Sequence, residues 1–259
     1  MTIYYGSRWF LLLARHFVLR RPEQPYRRLS ATLLVASGEP FHLQVDDGSI
    51  ITTHAALVAP KVRRRLIEAV NSHIAIFDLA IETPHYAALA ELTRQGPVLS
   101  LDAARFAPLH SQLAAAAEGG LDSAALHQLF DRAVAAAGGA PVPLAPERDT
   151  RITQAIAQIN DAGFGEASLD QLALSAHLSP SRFRQLFKQQ TGSTIRHYAR
   201  WAATWRAVWL WQRGTPWTQI AHECGFTDLA HLDHAFNEVF GLNPSAVVDP
   251  STVLLRRCE

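Results

Sequence analysis

The sequence predicts an α+β protein of two domains. The first is an N-terminal β-barrel or sandwich with a helical hairpin, and the second is an all-α domain with two helix-turn-helix motifs joined by a linker helix. Three observations carry this prediction: short apolar runs over residues 3–81, alanine- and leucine-rich helical segments up to residue 137, and two similar helix-turn-helix patterns near the C-terminus. With 259 residues and 48% hydrophobic content, the chain can bury a core in each domain.

The apolar runs in the first 81 residues predict antiparallel strands. Asp47 and Gly48 stand between two of these runs and give a two-residue hairpin signal, because both residue types tolerate the backbone angles that such turns require. Closure into a small barrel or sandwich would bury the apolar sides of the strands. The predicted strands are residues 9–13, 29–35, 41–45, 50–53, 55–58 and 74–79.

A helical hairpin and a linker follow the strands. Residues 102–118 and 123–137 have apolar residues at helical spacing, and Gly119 and Gly120 separate them. The glycine- and proline-rich sequence that comes next has no periodicity, which is typical of a linker, and we place the boundary near Pro146. The predicted domains are therefore residues 1–138 and 151–259, with a linker at residues 139–150.

Two successive helix-turn-helix patterns occupy residues 169–192 and 217–241. Ser168 with Gln171 predicts a capping box at the start of the first pattern. Ser179 followed by Pro180 predicts the start of the helix after its turn, because serine caps orphan amides and proline suits the first helical position.

Charge is distributed unevenly over the two patterns, although the net charge of the whole chain is only +1. Residues 171–222 contain no acidic residue, which is typical of a surface that meets phosphate. Four acidic residues then follow within residues 223–238, and no lysine or arginine appears until Arg256, so we expect the two halves to bind unequally. The basic residues are Arg182, Arg184, Lys188, Arg196, Arg200, Arg206 and Arg213, and the acidic ones are Glu223, Asp228, Asp233 and Glu238.

The two helix-turn-helix patterns and the helix between them, within residues 152–248, resemble the AraC/XylS family of bacterial transcription regulators. The resemblance implies a sequence-specific, DNA-binding regulator, and it leaves activation and repression open. It also implies that the N-terminal domain is cupin-like and serves for effector binding or dimerisation. The residues that carry it include Leu172, Ala173, Leu178, Ser179, Pro180, Phe183, Phe187, Thr191, Gly192, Tyr198, Ile220, Ala221, Gly225, Phe226, Phe236, Phe240, Gly241 and Pro244.

By position in the family motif, the second helix of the first pattern should offer Ser181, Arg184 and Gln185 to base edges. Arginine can donate two hydrogen bonds to guanine, and glutamine can pair with adenine in the same way. Other basic residues are candidates for phosphate contact, which sets the register but carries no sequence information. The alternative for each is an ordinary solvated charge. These phosphate candidates are Arg182, Lys188, Arg196 and Arg200.

The second pattern departs from its family. The corresponding positions for base contact hold Leu229, Ala230, Asp233 and His234, and Asn237 stands where a basic residue is frequent. Leucine or alanine could touch a thymine methyl group, and histidine could donate a hydrogen bond. We therefore expect weaker and less specific binding by this half.

Tryptophans recur every four residues along the linker helix, at Trp201, Trp205 and Trp209, so they share one face. We favour packing between the two helix-turn-helix units over the alternative, an exposed stripe that docks another domain or a polymerase subunit. We interpret Cys224 in the second turn as a buried packing residue in preference to a redox switch.

Several function classes find no support in the sequence. The histidines of the first domain lack the spacing of a cupin metal site, and no nucleophile triad or phosphate-binding loop occurs, so we expect no enzyme activity, no metal and no cofactor. No cysteine precedes Cys224, which argues against an alkyl-transfer repair protein. The apolar run at residues 9–14 is too short for a signal peptide or a membrane span, so we expect a cytoplasmic protein without membrane contact.

The expected partners are double-stranded DNA and a small-molecule effector. An apolar or aromatic effector near Phe10, Phe17 and Phe41 is preferred over an anionic one. A homodimer is expected through the hairpin at residues 102–137, against the alternative that the hairpin merely covers the barrel, and RNA polymerase is a further candidate partner. The competing function is a protein-interaction module with little specific DNA binding. The basic runs that would serve an anionic effector are Arg20 and Arg21, Arg27 and Arg28, and Lys61 with Arg63, Arg64 and Arg65.

Overall fold

The structure is a computed structural model, and it describes residues 1–6, 9–18, 25–80, 83–142, 148–211, 215–240, 244 and 253–258. The chain divides into two compact units: residues 1–146 together with 245–259, and residues 147–244. None of the helices in the described ranges has the length and apolar content that a bilayer crossing requires.

The first unit is built on a sheet whose strands occupy most of the first 80 residues. Three predicted strands, at residues 41–45, 50–53 and 55–58, are found with the predicted bounds. The hairpin at Asp47 and Gly48 is also found: Gly48 has a φ of 82°, and the Ser49 amide donates to Asp47 Oδ1 at 2.8 Å. The strands are β1 (Thr2–Tyr5), β2 (Trp9–Val18), β3 (Tyr26–Arg27), β4 (Ala31–Gly38), β5 (Phe41–Val45), β6 (Ile50–Thr53), β7 (Ala55–Val58), β8 (Arg63–Leu79), β9 (Val98–Ser100) and β10 (Leu254–Arg257).

The pairing of the described strands is an open path, in the order β10-β1-β2-β8-β4-β7-β9, so the closed cupin-like barrel that we predicted is not confirmed. The long strand β8 explains the shape of the sheet. Its second half pairs with β2 and β4, and its first half pairs with β3 and β5. Strands β5 and β6 therefore branch from β8 and do not complete a ring.

Strand β8 bends strongly. Tyr26 pairs with Arg64 near its start, and Ala31 pairs with Leu79 at its end. Five residues of chain reach at most about 18 Å, whereas a straight strand of this length would span roughly 50 Å. The two ends of β8 must therefore converge, and Asn71, with a φ of 53°, lies where the ladder to β2 shifts register.

Helices cover one face of the sheet. Leu11, Leu33 and Phe77 point to this face and share a buried cluster with the helical residues Phe106 and Phe130. Because the apolar side of the predicted hairpin packs on the sheet, covering the sheet is one role of this segment. These helices are α1 (Pro84–Leu89), a 3₁₀ helix (Leu92–Arg94), a second 3₁₀ helix (Ala103–Leu109), α2 (His110–Ala117) and α3 (Ser123–Gly138).

The last strand, β10, lies in the first unit although it follows the helical unit in sequence. It pairs in parallel with β1, with Thr2 opposite Leu254 and Tyr5 opposite Arg257. Cys258, just beyond it, is 8% exposed and belongs to the cluster under the helices. The sequence prediction had given residues 151–259 to the second domain; the structure places this strand in the sheet of the first.

The second unit is helical. The capping box of Ser168 and Gln171 is present at the start of its second helix, as predicted. Ser179 caps the next helix and Gly192 ends it with a φ of 64°. The helices are α4 (Thr150–Asp161), α5 (Leu169–Ser175), α6 (Pro180–Thr191), α7 (Ile195–Trp211), α8 (Trp217–Glu223) and α9 (Leu229–Phe240).

Candidate nucleic-acid interface

Helix α6 is the second helix of the first helix-turn-helix pattern and has one buried and one exposed side. Ser179 accepts a hydrogen bond from the Arg182 amide at 3.3 Å, and Pro180 occupies the first turn, so the start of the helix is fixed locally. Phe183 and Phe187 are fully buried one turn apart. Their burial turns the opposite side of α6 to solvent.

The exposed side of α6 holds all three residues that we predicted for base contact in this half. Ser181, Arg184 and Gln185 are exposed, and Lys188 lies one turn beyond Arg184. The Arg182 guanidinium donates to Gln185 Oε1 at 3.0 Å, so a phosphate candidate and a base candidate are already in contact. The arrangement places two amide or hydroxyl groups and three cations on one helix surface of a size that fits a major groove.

The remaining phosphate candidates lie in different surroundings. Arg196 is exposed in the first turn of α7. Arg200, one turn further on, is only partly exposed: it forms an ion pair with Glu238 of α9, and its guanidinium carbon lies 5.9 Å from the Phe164 ring centroid. Arg200 therefore ties α7 to α9 in this structure, and its contact with phosphate stays a prediction. Arg213 lies outside the described residues.

The turn before α6 contains a non-glycine residue in the left-handed region, His177, with a φ of 52°. In the second unit the same position of the turn holds Gly225, with a φ of 79°. A Cβ atom on Gly225 would lie 2.4 Å from the Phe164 carbonyl oxygen. Glycine is therefore required there both for the backbone angle and for the close approach of the loop at Phe164.

The second helix of each helix-turn-helix unit, α6 in the first and α9 in the second, is the candidate recognition helix, and the two can be aligned by the residues that cap their N-termini. Asp228 accepts from the His231 amide at 2.7 Å, just as Ser179 accepts from the Arg182 amide. Five residues beyond each cap stand Arg184 and Asp233, so the position that is cationic in α6 is anionic in α9.

The predicted base-contacting residues of α9 lie on its outer side but are less exposed as a group. Ala230 and His234 are exposed, whereas Leu229 and Asp233 are half-buried. Partial burial raises the pKa of the Asp233 carboxyl above its usual range. This surface offers a DNA duplex little positive charge, which agrees with the weaker role that we expect for the second half.

A chain of aromatic rings connects the two helix-turn-helix units through α7. Phe187 meets Tyr198 at 5.7 Å between centroids, and Tyr198 meets Trp201 at 5.5 Å. Trp205 contacts Phe240 of α9 at 4.9 Å. Trp201 and Trp205 are 5% and 6% exposed. The packing interpretation of the tryptophan stripe therefore holds for these two residues, and Trp209 is half-buried.

Cys224 is fully buried behind the second turn. Burial raises the pKa of its thiol to about 12, so the reactive thiolate is scarce at neutral pH. Both findings support the interpretation of Cys224 as a buried packing residue over that of a redox switch. No cluster of three or more histidine, cysteine or acidic side chains that could hold a metal ion is found within the described part of the chain.

Our sequence reasoning missed one candidate on α6. Gln189 is exposed one turn beyond Gln185 and can extend the same polar surface. The helical spacing of exposed polar residues was the signal that could have found it.

Together the fold and this surface define a domain with two helix-turn-helix units, in which one recognition helix is basic and the other acidic. The family described as a helix-turn-helix domain matches residues 172–249. Over 79 residues the chain is 35% identical to the transcriptional activator RhaR of Escherichia coli K12, a match that covers 30% of this chain and 28% of RhaR. The chain thus aligns with less than a third of the length of this relative.

Solved structures share the two-domain fold. An apo form of ToxT from Vibrio cholerae matches with a TM-score of 0.60 at 8% identity, covering 92% of this chain and 96% of ToxT. ToxT bound to an unsaturated fatty acid matches with a TM-score of 0.54 at 9% identity, over 91% and 94% of the two chains. At such low identity the likeness establishes the fold alone.

Proposed function

We propose that this protein is a sequence-specific, DNA-binding transcription regulator that reads DNA mainly through α6. The observation that carries the proposal is the exposed surface of that helix, where Ser181, Arg184, Gln185 and Lys188 stand together. The similarity to the activator RhaR over the same segment supports it.

The packing that fixes the orientation of α6 in the helical unit also supports the proposal. A recognition helix must keep its orientation to read bases, and α6 is anchored by buried Phe183 and Phe187 and by the aromatic chain through α7. Arg184 is our candidate for a bidentate contact with guanine, worth about 1 to 3 kcal/mol of discrimination. Arg182, Lys188, Arg196 and Arg200 are proposed as phosphate contacts.

The test is selection of random duplexes by the full-length protein, followed by fluorescence anisotropy on the selected duplex over a series of KCl concentrations. We expect Arg184→Ala to lose preference at one or two base positions. Lys188→Ala is the matched control: it removes the same charge from the same helix and should weaken binding to all duplexes alike, with a salt slope smaller by about one.

The competing function, a protein-interaction module that retains the fold, is favoured by the acidic surface of α9. It predicts that no motif is enriched and that affinity for duplex DNA does not fall with salt. That pair of results would overturn the regulator proposal, whereas a selected motif with a steep salt slope would overturn the alternative.

We further propose that the first unit binds a small effector. ToxT, which shares the fold, is described bound to an unsaturated fatty acid. The sequence favoured an apolar or aromatic ligand near Phe10, Phe17 and Phe41. Phe10 and Phe41 are buried in the sheet, and the Phe17 side chain lies outside the described residues.

A homodimer through residues 102–137 is a separate proposal. The apolar side of this segment is occupied by the sheet, so a dimer seam would use its outer side, where Ala114, Ala124 and Gln128 are exposed. Sedimentation of the wild type and of an Ala124→Arg variant tests it, because a bulky charge at a close helix contact should shift a dimer to monomer. Binding of RNA polymerase is proposed only through the resemblance, and co-purification with the polymerase tests it.

A further inference from the structure

Arg200 of α7 is one of the four residues proposed for phosphate contact, yet its guanidinium is engaged within the helical unit. Its side chain is 21% exposed, and its Nη1 atom donates to Glu238 Oε2 of α9. Its Nε atom is buried and has no hydrogen-bond partner among the described residues. The guanidinium therefore lies against protein, whereas a phosphate contact requires it to extend from the surface.

The second contact of Arg200 is with an aromatic cluster at the start of α9. Its guanidinium carbon lies 5.9 Å from the Phe164 ring centroid, within the range of a cation–π contact. Phe164 stacks on Phe226 at 5.5 Å, and both rings meet His231 edge-on, at 5.8 and 5.2 Å between centroids. Arg200 thus touches the ring that packs against the turn before α9 and against the first turn of this helix.

The two contacts are two turns apart on one side of α9. His231 and Glu238 are seven residues apart, and His234, an exposed candidate for base contact, lies between them. Spacings of three and four place all three residues on the same side of a helix. A helix that is held at two points along one side is restrained from rolling about its axis. Rolling is the motion that would carry His234 across a groove, so the two contacts fix the position of this side chain.

Electrostatics also favour an internal role for Arg200. Glu238 is one of the four acidic residues within residues 223–238. Unpaired on α9, it would repel the phosphates of DNA, and Arg200 neutralises it. A partly buried pair is screened less by salt than an exposed one. The pair therefore adds no net charge to the DNA-binding surface, and what it contributes is the geometry of α9.

We infer that Arg200 is a positioning residue, which sets the orientation of α9 toward DNA through its ion pair with Glu238 and its contact with Phe164. The inference rests on the proposed function as a DNA-binding regulator and deepens it: α9 adds base preference only while these contacts hold it. This role takes the place of the phosphate contact proposed for Arg200, and the other phosphate candidates are unaffected.

The ratio of the affinities for the selected duplex and for a random duplex separates the two roles. A change in charge alone acts on the phosphates of any duplex, so it cancels in this ratio. A loss of helix orientation acts only where bases are read, so it lowers the ratio. Fluorescence anisotropy of the full-length protein at one KCl concentration gives both affinities.

Glu238→Gln is the decisive variant, because it removes a negative charge from α9 and keeps the length of the side chain. If charge alone matters, both affinities rise and their ratio stays constant. We expect the ratio to fall at least about threefold, which is on the order of the strength of a partly exposed ion pair. Arg200→Gln should lower the ratio by a similar factor. The double variant should lower it no further, since both changes break the same contact.

Matched controls make the same charge changes away from this contact. Glu223→Gln removes an exposed carboxylate from α8, in the same helix-turn-helix unit. Arg206→Gln removes an arginine of α7 whose guanidinium donates to the Asp161 carbonyl oxygen of α4 at 2.7 Å. Both variants should leave the ratio of affinities unchanged.

Amide hydrogen exchange of the full chain without DNA measures the hold on α9 directly. Peptides covering α9 should lose protection in Glu238→Gln and in Arg200→Gln, while peptides covering α5 and α6 should keep it. Unchanged protection of α9, or a loss spread over the whole helical unit, would overturn the inference.

A ratio of affinities that stays constant or rises in Glu238→Gln would also overturn the positioning role, and so would an equal fall in the two control variants. If no duplex motif is selected, the regulator proposal fails, and hydrogen exchange still decides whether the ion pair holds α9. A selected motif together with a constant ratio would overturn this inference alone.

Discussion

Arg184 and Asp233 occupy equivalent positions, each five residues after the cap of its recognition helix. In the first helix this position is exposed and cationic; in the second it is half-buried and anionic. An anion near the phosphate backbone repels DNA irrespective of sequence, whereas an arginine both attracts DNA and reads guanine. We therefore expect this pair of positions to contribute to a difference in DNA contact between the two units.

Asp233→Asn should therefore strengthen binding to duplex DNA. Removing one negative charge from α9 is expected to raise affinity about two- to fivefold for specific and random duplexes alike, because the change acts on the phosphates. Anisotropy at low KCl measures it, and the gain should shrink as salt rises. Asp161→Asn is the control, an exposed carboxylate at the end of α4. An equal gain in both variants would show that net charge alone is responsible.

At the scale of elements, the second turn depends on a close approach between two backbones. Gly225 has a φ of 79°, its loop neighbour Phe164 donates its amide to the Cys224 carbonyl at 2.7 Å, and the Phe164 and Phe226 rings stack at 5.5 Å. This contact joins the loop after α4 to the turn between α8 and α9. It holds the second helix pair against the rest of the helical unit.

Gly225→Ala should destabilise the helical unit by about 2 to 4 kcal/mol, as the sum of left-handed strain and a backbone clash. Gly165→Ala separates the two causes: Gly165 has a φ of 91°, but a Cβ there would meet nothing within 4 Å. It should cost only the strain, about 1 to 2 kcal/mol. Urea unfolding followed by tryptophan fluorescence reports on this unit, since every tryptophan except Trp9 lies in it. Equal losses of unfolding free energy in the two variants would show that a backbone clash at Gly225 does not contribute.

The elements that the sequence predicted well are those specified by local chemistry. The caps at Ser168 and Ser179 and the hairpin at Asp47 and Gly48 depend on a few consecutive residues, so they can be recognised without knowing the fold. The exposed face of α6 follows from helical spacing once the helix is placed. Its candidate contacts were therefore within reach of sequence reasoning, although their roles on DNA stay predictions.

The elements that the sequence did not predict depend on contacts between distant residues. Strand β10 pairs with residues about 250 positions earlier in the chain. Arg64 reads as one member of an ordinary surface charge run, and only the bend of β8 brings it inside beside Asp78. No local pattern records that convergence, because it depends on the register of β3 and β4 along one long strand.

At the scale of the whole molecule, the helical unit is an insertion in the chain of the first unit. The chain leaves the first unit at residue 146 and returns to it at residue 245. Strand β10 then forms an edge of the described sheet, with the Leu254 amide donating to the Met1 carbonyl and the Cys258 amide to the Tyr5 carbonyl, at 2.8 and 2.9 Å. The helical unit is consequently tethered to the first unit at both of its ends.

Because β10 pairs with β1, we expect substitutions that disrupt β10 to lower the stability of the first unit. Leu254→Pro removes an amide that pairs with β1 and should cost about 1 to 3 kcal/mol, since proline cannot donate and the Met1 carbonyl loses its partner. The measurement is hydrogen exchange by mass spectrometry: peptides covering β1 and β2 should lose protection, while those covering α5 and α6 should not.

Leu255→Pro is the matched variant for this test. Amides of one strand alternate in direction, so the Leu255 amide points away from β1 and its loss leaves the ladder intact. Its side chain is also the more buried of the two, so a stronger effect of Leu254→Pro cannot come from lost packing. Equal loss of protection in both variants, or loss confined to the helical unit, would show that β10 does not support the sheet through its pairing with β1.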